Sequence, residues 1–119
     1  VTRDDYILKN VRNVPVNIKR AVVNEALAQD ITMNDVVGQI LGRHCLVPYQ
    51  LSGERSMGAE ITGDQMLFRV PPTVDLHIRA DARAKKITES SVVLQILAEY
   101  FGLVYEPTKR TGRKRSVEA

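Results

Sequence analysis

"ITMNDVVGQIL" at residues 31–41 returns 56 positions later as "ITESSVVLQIL" at 87–97. Seven of the eleven positions are identical, and the rest differ as Met33/Glu89, Asn34/Ser90, Asp35/Ser91 and Gly38/Leu94. Internal similarity at a fixed spacing has to be read first, because a chain of two like units folds by different rules from a single one. Carried backwards without gaps, the same spacing sets Val14-Pro15 on Val70-Pro71, Ile18 on Val74, Val22 on Ile78 and Ala26 on Ala82.

Each copy reads in three parts. First comes an extended stretch ending on proline, "ILKNVRNVP" and "QMLFRVPP". Proline disfavours helix for the residue before it, so Val14 and Val70 are drawn to β. Next, Ile18, Val22 and Ala26 recur every four residues, as do Val74, Ile78 and Ala82, which stacks each set on one helix face. Thr73 is the expected N-cap of the second of these helices, and Asn17 or the residues before it cap the first. The third part is the shared block. Thr32 and Thr88 sit where a hydroxyl caps a helix, with Asp35 and Ser91 three residues on. Val36, Val37, Ile40, Leu41 and Cys45, matched by Val92, Val93, Ile96, Leu97 and Phe101, then form a wide apolar stripe of helical period.

A single strand with two helices leaves backbone groups unpaired, and an isolated ribbon is marginal. Pairing the two extended stretches antiparallel satisfies those groups and brings four amphipathic helices onto one core. The expected plan is therefore one domain over 1–119: a first unit at 7–46, a linker at 47–63, a second unit at 64–102 and a basic flexible tail at 103–119.

The totals fit a small globular domain: 119 residues, 44% apolar, 26% charged. The net charge is +3, and all of that excess falls in residues 103–119, so the folded part is not a generally basic surface. No apolar run approaches a membrane span. Cys45 stands alone, which leaves no disulfide within the chain. The sequence opens on Val1 rather than Met, which is compatible with a fragment. His44 and His77 lack neighbours at metal-ligand spacing, and no catalytic constellation or cofactor motif is visible. Tyr6, Tyr49 and Tyr105 fall outside both copies and are expected to cover core edges.

Strand, proline, helix, Thr-led turn and "VVxQIL" helix, found twice, resemble the ribbon-helix-helix proteins of the Arc/MetJ/CopG class, β-ribbon readers of DNA. The resemblance spans about residues 7–46 and 63–102. It implies a mainly α fold with one two-stranded antiparallel ribbon, in which two ribbon-helix-helix repeats (β-α-α-β-α-α) close into an intramolecular pseudo-dimer. It further implies that the ribbon enters the major groove of double-stranded DNA. Single-chain tandem versions resemble accessory proteins of DNA processing and transfer, of the relaxosome or T-DNA type. That implies a bacterial, cytoplasmic, non-catalytic protein without cofactor, working beside a relaxase or other DNA-processing enzyme. A ribbon-helix-helix transcriptional repressor and an antitoxin-like protein-interaction module are the alternatives. A helix-turn-helix reader would have to expose "VVGQIL" and "VVLQIL", which are better buried.

Strand side chains alternate faces. Counted back from the proline, Gln65, Leu67 and Arg69 face outward in the second copy, and Lys9, Val11 and Asn13 in the first. Arg suits guanine, an amide suits adenine and an apolar group meets the thymine methyl. The same count turns Arg12 inward. A buried unpaired Arg costs several kcal/mol, so Arg12 has to lie at an exposed end, meet a carboxylate, or be turned outward by a bulge and join the DNA contacts. The helix starts at Thr32, Met33 and Asn34 and at Thr88, Glu89 and Ser90 offer amides to phosphate. Glu89 is expected to point away from it. Lys109, Arg110, Arg113, Lys114 and Arg115 suit contact with the phosphate backbone. Because the two outward sets differ, two unlike half-sites, or only weak reading of sequence, are expected.

Overall fold

The computed structural model describes residues 3–55 and 64–109. Two prolines set the first helix boundaries. Strand β1 (Ile7–Val11) leads through Pro15 into α1 (Val16–Gln29), and β2 (Met66–Val70) through Pro71 into α3 (Pro72–Lys85). Both prolines are extended and cap without a side-chain bond, and their carbonyls accept from Lys19 and Asp75 N–H. The first helix is thus capped by a residue preceding Asn17, and Thr73 lies inside α3 rather than at its cap, because proline's fixed φ already sets the entry angle. Thr32 and Thr88 do cap. Their Oγ1 atoms accept from Asp35 N–H at 3.1 Å and Ser91 N–H at 3.0 Å, starting α2 (Met33–Cys45) and α4 (Glu89–Phe101).

Among the described residues the protein is mainly helical, with one two-stranded antiparallel sheet and its strands and α-helices in the order β1-α1-α2-β2-α3-α4. The ladder pairs Ile7 with Val70, Leu8 with Arg69, Lys9 with Phe68, Asn10 with Leu67 and Val11 with Met66. One face of this ribbon is packed on the helices. Val11, Met66, Phe68 and Val70 join Ile18, Val22 and Ala26 of α1, Val74, Ile78 and Ala82 of α3, and the apolar stripes of α2 and α4 in one core. The stripes of α2 and α4 are spent on this core, so neither helix has the exposed apolar face a groove-reading helix would need.

Each helix of the second pair begins and ends 56 residues after its counterpart in the first. The strands do not keep that spacing. Val11 matches Phe68 in burial, an interval of 57. The extra residue is Asn13, whose φ of 58° puts it in the left-handed region that Asn tolerates better than most residues. Val14 N–H then donates to Asp64 C=O at 2.9 Å, one residue off the ladder register, as a bulge requires.

The folded part also extends beyond the expected unit ends. Val47 N–H bonds Gly42 C=O, and Leu103 N–H bonds Ala98 C=O, both at 2.8 Å. Tyr49 OH donates to buried Asp35 Oδ1 at 2.8 Å, and Ser52 N–H and Oγ–H reach the same carboxylate. Tyr105 and Thr108 stand 56 residues further on and bond Ser91 Oγ instead. Residues 47–55 are therefore built into the first half rather than a free linker, and the expected flexible tail is held as far as Lys109. Tyr49 and Tyr105 occupy matching places inside the plan.

Burial and the bond to Asp35 push the Tyr49 phenol up to about 12, although Arg3, 3.0 Å from the hydroxyl, pulls the other way. A raised phenol pKa stabilises the fold fully below the unfolded value near 10, and that contribution fades as pH rises toward 12. Absorbance titration should show one of the four tyrosines ionising last, and Tyr49→Phe should remove that step.

Candidate nucleic-acid interface

The uncovered face of the ribbon carries Leu8, Asn10 and Arg12 from the first strand region and Gln65, Leu67 and Arg69 from the second, all exposed. Leu8 and Leu67 are 53% and 61% exposed, a high value for large apolar side chains on a sheet. Cross-strand neighbours are Leu8 beside Arg69 and Asn10 beside Leu67. On the second strand the alternation counted from proline places the side chains as observed. On the first it is one residue out of phase: Lys9 and Val11 belong to the inner face, and Asn13 sits exposed at the bulge. The bulge is the reason. It reverses the phase between Val14 and the strand, buries Val11 at 2% exposure, and turns Arg12 outward.

Lys9 has its own role beneath the ribbon. Its ammonium lies 2.6 Å from both buried Asp75 Oδ1 and Glu89 Oε1, and Arg79 Nε reaches the other Asp75 oxygen at 3.0 Å. Burial disfavours the charged lysine, but hydrogen bonds to the two carboxylates outweigh it and raise its pKa above the usual value. A lysine held this way is not available to a base edge. It also answers the problem of Glu89 at a helix start: the carboxylate turns to Lys9 and its charge is offset there.

The two capped helices meet the ribbon at its two ends. Asn34 Oδ1 accepts from Arg69 N–H at 2.8 Å, and Ser90 Oγ accepts from Arg12 N–H at 3.5 Å. Thr32, Met33 and Asn34 thus lie beside Arg69, and Thr88, Glu89 and Ser90 beside Arg12. The Thr hydroxyls are used by their own helices. At the α4 end the chain returns: Thr88 N–H donates to Thr108 C=O at 3.1 Å, and Lys109 bridges Ile87. Arg110, Arg113, Lys114 and Arg115 lie outside the described residues.

Sequence reasoning missed Leu8 and Asn10 as outward residues. The available signal was Arg12, whose inward placement made no energetic sense, together with Asn13 as a residue suited to a left-handed turn. Among the described residues, no group of three or more His, Cys, Asp or Glu side chains is placed to hold a metal ion. No helix of the described residues is long and apolar enough to cross a membrane. No family model matches the chain, and neither a curated protein nor a solved structure matches it.

Proposed function

We propose that this protein binds double-stranded DNA by laying the β1–β2 ribbon into the major groove, as two ribbon-helix-helix units closed into one intramolecular pseudo-dimer. The observation that carries the reading is the uncovered ribbon face, where Arg12, Asn10, Gln65 and Arg69 surround two exposed leucines while the opposite face is packed. Two strands about 4.8 Å apart fit a groove about 12 Å wide. Apolar side chains on such a face gain by meeting thymine methyl groups, and the Arg and amide side chains match base-edge acceptors and donors.

The flanking helix starts support the same reading. Amides of Met33 and Asn34 at one ribbon end, and of Ser90 at the other, lie where backbone phosphates pass on either side of a docked ribbon. The α2 start is the better anion site, since Met33 stands where α4 carries Glu89. Lys109, bridged to Ile87, puts one cation beside the α4 start. The resemblance of the tandem single-chain plan to accessory proteins of DNA transfer favours non-catalytic assistance in DNA processing, beside a relaxase-type enzyme, as its task.

Anisotropy titration of a labelled duplex, followed over a salt series, tests the reading. Wild type should bind with affinity that falls steeply with salt. Leu67→Glu should weaken binding at least tenfold by setting a carboxylate in the groove. Leu46→Glu, at a residue 90% exposed at the far end of α2, should leave it unchanged. Equal affinity for wild type and Leu67→Glu would remove the ribbon from the interface.

A further inference from the structure

The expectation of two unlike half-sites, or of weak reading, rested on a strand register that the bulge displaces. Three observations fix the true correspondence between the strands. Val11 and Phe68 are the matched buried residues. The Val14-to-Asp64 bond occupies the place that the Val70–Ile7 pair holds on the other side. Arg12 and Arg69 donate their N–H groups to Ser90 and Asn34, which stand at equivalent places in α4 and α2. Arg12 therefore corresponds to Arg69, Leu8 to Gln65, and Asn10 to Leu67, with the Asn10–Leu67 pair on the axis.

From this we infer that the chain reads an imperfect palindrome: one guanine in each half-site at matched positions, with an interior that differs between the halves. The inference rests on the ribbon-to-duplex reading above. Arg12 and Arg69 are four residue rows apart on opposite strands, about 13 Å along the ribbon at ~3.3 Å per residue. That is roughly four base-pair steps at ~3.4 Å each. Two arginines related by a twofold axis address guanines on opposite DNA strands, each through O6 and N7.

Orientation comes from the unmatched positions. One row past the Val11–Met66 pair, the exposed Gln65 follows on the opposite strand from exposed Arg12, and its amide suits an adenine. Beside Arg69 stands Leu8, which offers only an apolar contact to a thymine methyl. At the axis, Asn10 and Leu67 differ in the same way and distinguish the two directions of an A·T pair. The protein therefore sits on its site with one polarity, although its two arginine anchors are matched. Gln65, Leu8, Asn10 and Leu67 are specificity-determining residues in this account, and Arg12 and Arg69 are the shared anchors.

Selection from a random duplex library with the full chain tests this. Wild type should enrich two G·C pairs with guanines on opposite strands, roughly four steps apart, around an asymmetric interior. Arg12→Ala should relax one guanine and Arg69→Ala the other, each weakening the best site by about 5- to 150-fold. Leu8→Gln should make the flanking preference symmetric. All three side chains are exposed, and thermal unfolding of each variant checks that it folds as wild type does. A selected pool with no matched guanines, or a pool unchanged by either Arg substitution, would overturn the inference while duplex binding persists. Loss of all duplex retention at low salt in wild type would instead sink the DNA-binding reading and this inference with it.

Discussion

Asp35→Ala is expected to lower the unfolding free energy by about 3–5 kcal/mol, the range for breaking a buried charged network by removing one partner. The carboxylate is fully buried and accepts from Tyr49 OH and from the N–H and Oγ–H of Ser52, with Arg3 Nη1 at 3.6 Å. Its removal leaves several donors without an acceptor and frees the segment 47–52 from α2. Ser91→Ala, at the counterpart position, deletes a neutral hydroxyl bonded to Tyr105 and Thr108 and should cost about 1–3 kcal/mol. Urea unfolding of both variants measures the contrast. A cost for Asp35→Ala no larger than that for Ser91→Ala would mean that the charge contributes nothing beyond its geometry. The same comparison bears on Gly38. A Cβ there would stand 2.2 Å from the Tyr49 ring, whereas the counterpart position holds Leu94. The first half has given up a core side chain to seat the tyrosine that satisfies Asp35.

The second large effect concerns the charges beneath the ribbon. Asp75→Ala is expected to destabilise the fold by about 3–5 kcal/mol, because it leaves the Lys9 ammonium against the core with only Glu89, which is half-exposed. The double replacement Lys9→Met/Asp75→Leu should recover most of that loss. Apolar groups of similar volume remove both desolvation penalties, and Met66, the counterpart of Lys9, shows that methionine fits this place. Calorimetry on the two single variants and the double variant provides the cycle. If the double variant is as unstable as Asp75→Ala, the lysine's penalty is not the source of the effect. On the proposed DNA-binding reading, Lys9→Met should leave duplex affinity near wild type, since that side chain lies under the ribbon rather than on its face.

The helices were legible in the sequence because their cues are local. Apolar side chains four residues apart and a Thr hydroxyl three residues before an amide need no tertiary information, and both survive as α1 to α4. The faces of β2 were equally legible, with three apolar residues alternating up to Val70. The faces of β1 were not. A count in twos is reversed by one inserted residue, and Asn13 is that insertion. The segments 47–52 and 103–108 were passed over because proline and polar residues give them the look of linkers. Their role depends on Tyr49 and Tyr105 reaching back 14 residues to Asp35 and Ser91. The bond from Lys9 to Asp75 and Glu89 joins residues 66 and 80 apart in the chain and has no local signature.

Pairing of β1 with β2 also has a consequence for biosynthesis. Ile7 emerges from the ribosome 63 residues ahead of Val70, its ladder partner. At about 5–20 residues per second, that is a wait of roughly 3–13 s. Throughout it, the nascent first half holds an unpaired strand edge over an apolar underside that Phe68 has yet to cover. A neighbouring nascent chain on the same message carries an identical edge. Slow decoding of the stretch between residues 46 and 66 would therefore favour cross-pairing between chains over the pairing within one.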